Sequence, residues 1–115
     1  MKTMDTLMAE ADELLERGEE RILTDTKAGY QLFQQAISNL FKLYLITNGQ
    51  EPLGDLKALF FQCQKYNAEF EVVEDVMSIF VDSVLNELDN ETIIDAANEI
   101  WDFVMEMLPM EADEL

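Results

Sequence analysis

The chain has 115 residues, enough for one domain with one core and too few for two. Apolar residues make up 49% of it, which excludes disorder, and four Gly with two Pro are too few for the many turns of an all-β protein. Twenty-five acidic residues against seven basic ones leave a net charge of −18, a field that repels nucleic-acid backbones and anionic membranes and favours a basic protein partner.

Met4, Leu7, Met8, Ala11, Leu14, Leu15 and Ile22 recur at helical spacing and predict a first helix. Gly18 inside it marks a place for a kink or a split. Asp25 or Thr26 then offers an N-cap side chain for the next helix. In the second helix Tyr30, Phe33, Ile37, Phe41 and Tyr44 step by three and four, while Leu32, Ala36, Leu43 and Ile46 make most of the other side apolar. A helix apolar nearly all round is buried, either at the centre of the domain or against a second subunit. Those five stepping residues are therefore the interface candidates. Asn48-Gly49 ends this helix, with Gly49 suited to the left-handed C′ position.

Pro52 fits the first turn of a third helix, with Leu56, Leu59, Phe60 and Cys63 on its apolar side and an end near Tyr66-Asn67. A fourth helix carries Val73, Val76, Met77, Phe80, Val84 and Leu88. Asp89-Asn90 breaks the chain and caps a last helix with Ile93, Ala97, Ile100, Val104 and Met107 on one register, which Pro109 stops. Short connections favour antiparallel neighbours, so the expected fold is all-α, an up-and-down bundle of four to five helices over residues 1–110, with an acidic tail at 111–115. No apolar run approaches the ~20 residues of a membrane span, and no leader pattern opens the chain, so it is read as cytoplasmic. The lone cysteine, Cys63, cannot form an internal disulfide and reads as a small core hydrophobe.

Histidine is absent, which removes imidazole acid–base chemistry, Ser-His and Cys-His pairs and the usual transition-metal sites. No Gly-rich phosphate cradle is present either. No catalytic residue and no cofactor are expected. The chemistry left open needs carboxylates and a hard cation. Glu71 and Glu74 are three apart, as are Glu99 and Asp102; if the two pairs met across the bundle they could hold Mg²⁺ against a phosphate. This Glu-x-x-Glu … Glu-x-x-Asp order resembles the all-α nucleotide pyrophosphohydrolases of the MazG type. The resemblance covers two short stretches, and Phe70 stands where that family usually has a further glutamate.

A longer resemblance runs from Thr26 to Leu108. The helix from Ala28 to Leu45 ending in Asn48-Gly49, the short helix from Leu53 to Tyr66, and the closing stretch from Ala96 to Val104 together resemble the HEPN superfamily of small helical domains. Active members of that family carry an Arg and, a few residues on, a His used in RNA cleavage. This chain has no His, and no Arg after Arg21; the corresponding region, Ser78 to Asn90, offers only Asp82, Ser83, Asn86, Glu87 and Asp89. The resemblance thus implies a non-catalytic interaction module, a homodimer that associates with a protein partner of the nucleotidyltransferase type. Two alternatives stand beside it. One is an acidic protein that imitates the phosphate array of nucleic acid and blocks a basic protein; carboxylates ordered in rows on one face would mark it. The other is the Mg²⁺-dependent pyrophosphohydrolase.

Overall fold

A computed structural model describes residues 4–81 and 88–108 of the chain. Val84, Pro109, the 111–115 tail and the polar positions Asp82, Ser83, Asn86 and Glu87 lie outside the described residues. The described residues form an all-α bundle of five helices: α1 (Met4–Arg21), α2 (Thr26–Thr47), α3 (Leu56–Tyr66), α4 (Glu74–Val81) and α5 (Asn90–Met107). A 3₁₀ segment (Ala68–Val73) leads into α4. No strand occurs among the described residues.

Three aspartates set the helix starts, because each replaces a missing intrahelical acceptor with its own carboxylate. Asp25 accepts the Ala28 N–H at 3.1 Å, Asp55 that of Ala58 at 3.0 Å, and Asp89 that of Thr92 at 2.8 Å. The α2 terminus follows the pattern expected of Asn48-Gly49. Gln50 N–H donates to the Leu45 carbonyl at 2.8 Å and Gly49 N–H to Ile46 at 3.0 Å, with Gly49 at φ +76°. That pair of bonds is a Schellman closure, which needs the left-handed residue glycine supplies.

Three local expectations fail. Pro52 does not open α3: the Asp55 cap and Gly54 at φ +91° hold residues 51–54 outside the helix, which starts at Leu56. The fourth helix does not run from Val73, because the chain tightens into the 3₁₀ segment first and Glu74 begins α4. Gly18 neither kinks nor splits α1, which runs unbroken to Arg21. Its role is clearance: a Cβ there would sit 2.8 Å from the Phe33 ring. Gly29 is tighter, since a Cβ would lie 2.5 Å from the Ile22 Cβ. The two glycines let α1 and α2 close into a hairpin.

Helices α1, α2, α4 and α5 alternate in direction. Tyr30 donates to the Ile79 carbonyl and Gln34 to that of Phe80, both at 2.7 Å, so the end of α4 meets the start of α2. Asn90, the first residue of α5, donates to the Ile22 carbonyl at 3.1 Å and accepts from Thr26 at 2.9 Å. The start of α5 is thereby fixed to the α1–α2 turn. At the other end Phe103 of α5 meets Phe70 edge-on at 5.1 Å, and Phe70 lies 4.8 Å from Tyr44. Short α3 packs on the second half of α2, with Phe60 against Phe41 and Tyr66 against Tyr44. The core draws on every helix, and among the described residues no polar or charged residue is buried.

Candidate functional site

The expected interface residues of α2 are already covered. Phe33, Ile37, Phe41 and Tyr44 are sealed in the chain's own core, and half-buried Tyr30 stacks on Phe80 at 5.5 Å. Of the two places a helix apolar all round can occupy, α2 takes the centre of the domain. It has no aromatic seam left to offer a second subunit. Burial pushes up the hydroxyl pKa of Tyr30 and of Tyr44; the Asn67 amide, donating to Tyr44 at 3.2 Å, opposes the shift in Tyr44. Burial also raises the Cys63 thiol to about 12, so it stays protonated at neutral pH, as a core hydrophobe does.

The four carboxylates weighed for Mg²⁺ do not converge. Glu71 sits in the 3₁₀ segment and Glu74 at the start of α4, so the two still share a side, but among the described residues no third ligand joins them. Glu99 and Asp102 lie on α5, and all four are exposed. Among the described residues no group of three His, Cys, Asp or Glu is placed to hold a metal ion. A Mg²⁺-dependent pyrophosphohydrolase site therefore has no constellation in these residues.

Glu99 and Asp102 belong instead to a longer row. Glu91, Asp95, Glu99, Asp102 and Glu106 are all exposed, and α5 contains no Lys or Arg. At about 100° per residue they fall within a sector of roughly 80° on one side of the helix. A second row runs along α1: Asp5, Asp12 and Glu16 are exposed and Glu19 is half-buried. Asn98 of α5 reaches across to Glu19 near the end of α1, Nδ2 to Oε2 at 3.5 Å, so the two helices meet at one point. The α5 row is on the order of 20 Å long and carries about one charge per 4–5 Å, against one per ~3.4 Å of a single DNA strand. Like charges three or four apart on a helix repel by a few tenths of a kcal/mol each, so the α5 row costs on the order of 1 kcal/mol.

The sequence reading missed both the full α5 row and its complement. Residues 26–68 hold only two of the 25 acidic residues, Glu51 and Asp55, against four lysines. That stretch carries +2 and the rest of the chain −20. Counting charge by segment, rather than over the whole chain, would have shown it. Two grooves, of about 630 and 800 Å³, border α1 and α2; Arg17, Glu20 and Arg21 line one, and Glu10, Lys42, Asp55 and Lys57 the other. A third, of about 340 Å³, opens between α3 and α4. No described helix is long and apolar enough to cross a membrane. Compared with known proteins, the chain matches no family model, no curated protein and no solved structure.

Proposed function

We propose that this protein is a non-catalytic interaction module that presents the α5 carboxylate row to a basic protein. The α5 row carries this reading. An amphipathic helix keeps its charges on the solvent side in any case, but here all five are negative, with no Lys or Arg between them to offset their mutual repulsion. A partner whose Lys and Arg side chains normally meet a phosphate backbone would find a comparable charge density on this face. In HEPN-like terms, the domain is one in which the histidine needed for RNA cleavage is absent, leaving association as its role. A nucleotidyltransferase-type protein with a basic groove is one partner of that chemistry.

The test is competition. A basic, DNA-binding protein is titrated with the chain in the presence and absence of duplex DNA. The reading expects the chain to displace DNA, and the affinity to fall steeply as salt rises. Equal occupancy of DNA with and without the chain, at low salt, would contradict it.

A further inference from the structure

The α1–α2 groove of about 630 Å³ is the second feature the fold leaves open, and it differs in kind from the acidic α5 row. We infer that it is a binding site for a phosphate monoester, held by Arg17 and Arg21 of α1. The inference stands apart from the basic-partner reading, since it uses the opposite charge and a different helix.

Arg17 and Arg21 are the two arginines of the chain, and both line this groove. They are one helical turn apart on α1, so their guanidinium groups share a side and repel each other. Glu13 stands four residues before Arg17 and Glu20 three after it, spacings at which helical ion pairs form. Among the described residues, even so, neither arginine is paired with a carboxylate. The opposite wall comes from Ala28, Gln31, Leu32 and Gln35 of α2, a helix without Asp or Glu. Gln31 and Gln35 are exposed and also one turn apart, so two amide groups stand along the same groove as the two guanidiniums. Thr24 adds no donor, because its hydroxyl donates to the Arg21 carbonyl at 3.2 Å. Two arginines against one glutamate, Glu20, leave the lining net positive. The 800 Å³ groove sets Glu10 and Asp55 against Lys42 and Lys57, and the 340 Å³ groove sets Glu74 and Asp75 against Lys57. Of these three grooves on a −18 chain, positive charge prevails only here.

The chemistry favours phosphate over carboxylate. A carboxylate has two oxygens and one charge, which a single guanidinium fork satisfies. A phosphate monoester carries about −1.5 to −2 at neutral pH on three acceptor oxygens, so it engages both forks and relieves their repulsion. The groove also falls within the ~300–1,000 Å³ typical of ligand sites, with room beyond the phosphate for an organic part. Half-buried Ala28 and Leu32 give that part an apolar floor, and the Gln31 and Gln35 amides offer hydrogen bonds at its edge. At physiological salt the Debye length is ~8 Å, so the charges nearest the ligand count for most.

Nuclear magnetic resonance of the full chain, titrated at physiological salt with AMP, inorganic phosphate, adenosine and acetate, reads the result. AMP should shift the Gln31 and Gln35 side-chain amide signals saturably, with a dissociation constant of about 1 mM or below. Inorganic phosphate should bind more weakly, and adenosine and acetate more weakly still. Arg17→Gln with Arg21→Gln should raise the AMP dissociation constant about tenfold or more. Arg17→Lys with Arg21→Lys keeps the charge but loses the fork, and should raise it as well. Glu20→Gln removes the one carboxylate of the lining and should lower it. The absence of a saturable AMP shift overturns the inference, as does AMP binding indifferent to the double glutamine variant. Adenosine or acetate binding as tightly as AMP overturns the phosphate assignment, and inorganic phosphate doing so overturns the ester. Arg17, Glu20 and Arg21 are all exposed, and helical circular dichroism of each variant separates loss of contact from loss of fold. Binding of a basic peptide should not weaken in the double glutamine variant; the two readings therefore fail independently.

Discussion

At the scale of single residues the fold depends on what is missing as much as on what is present. Gly29 has no Cβ because the Ile22 Cβ and backbone occupy that space, within 2.5 to 2.7 Å. Alanine would gain about 1 kcal/mol of helix propensity there, yet overpacking against backbone costs about 1–3 kcal/mol or more. Gly29→Ala is therefore expected to lower stability in urea unfolding, and by more than Gly18→Ala, whose obstacle is a side-chain ring rather than backbone. Cys63 makes a different demonstration. Buried and with its thiol raised to about 12, it should resist alkylation at neutral pH until the chain unfolds. Alkylation of the native protein at the rate of a free thiol would contradict that placement.

The helices were legible in the sequence where a strong periodicity met a strong cap. Asp25, Asp89 and Asn48-Gly49 bound helices whose apolar residues already repeat at 3.6, and structure and sequence agree there to within a residue or two. Pro52 misled because a proline tolerated in a first turn is equally at home in a loop, and the Asp55 side chain decided between the two. The 3₁₀ segment was not legible: its apolar residues Phe70 and Val73 are three apart, a spacing that α-helix and 3₁₀ share. The Asp89 cap also gives α5 a pH dependence. Its carboxyl is held below the ordinary value of 3.8 by the hydrogen bonds from Thr92, side chain and backbone. A depressed folded pKa means stability that is present above the unfolded value and lost as pH falls through the folded one. Asp89→Ala should thus lower the melting temperature at neutral pH, and the gap to wild type should close below about pH 3.8. A gap that persists in acid would assign the effect to something other than the charged cap.

Over the whole molecule, the bundle sorts its charge. The described residues extend 39 × 26 × 25 Å, several times the ~8 Å Debye length at physiological ionic strength. The acidic row of α5 and the carboxylate-poor stretch of α2 and α3 are therefore electrostatically separate. The sequence showed the sign and size of the total charge but not its arrangement. Where α1 and α5 meet depends on a long-range contact, Asn98 to Glu19, that no local pattern encodes. For the same reason the Glu71, Glu74, Glu99 and Asp102 constellation was plausible on spacing and absent in space. The proposed function requires that order on the α5 face, not net charge, carries the binding. Two variants with the same net charge decide it. One neutralises the row as Glu91→Gln, Asp95→Asn, Glu99→Gln, Asp102→Asn and Glu106→Gln. The other neutralises five exposed carboxylates elsewhere, as Glu51→Gln, Glu69→Gln, Glu71→Gln, Glu74→Gln and Asp75→Asn. Titrated against one Lys/Arg-rich peptide at fixed salt, the row variant should lose affinity about tenfold or more and the scattered variant should stay close to wild type. Equal losses in both would contradict the account and leave only unspecific attraction to a −18 chain.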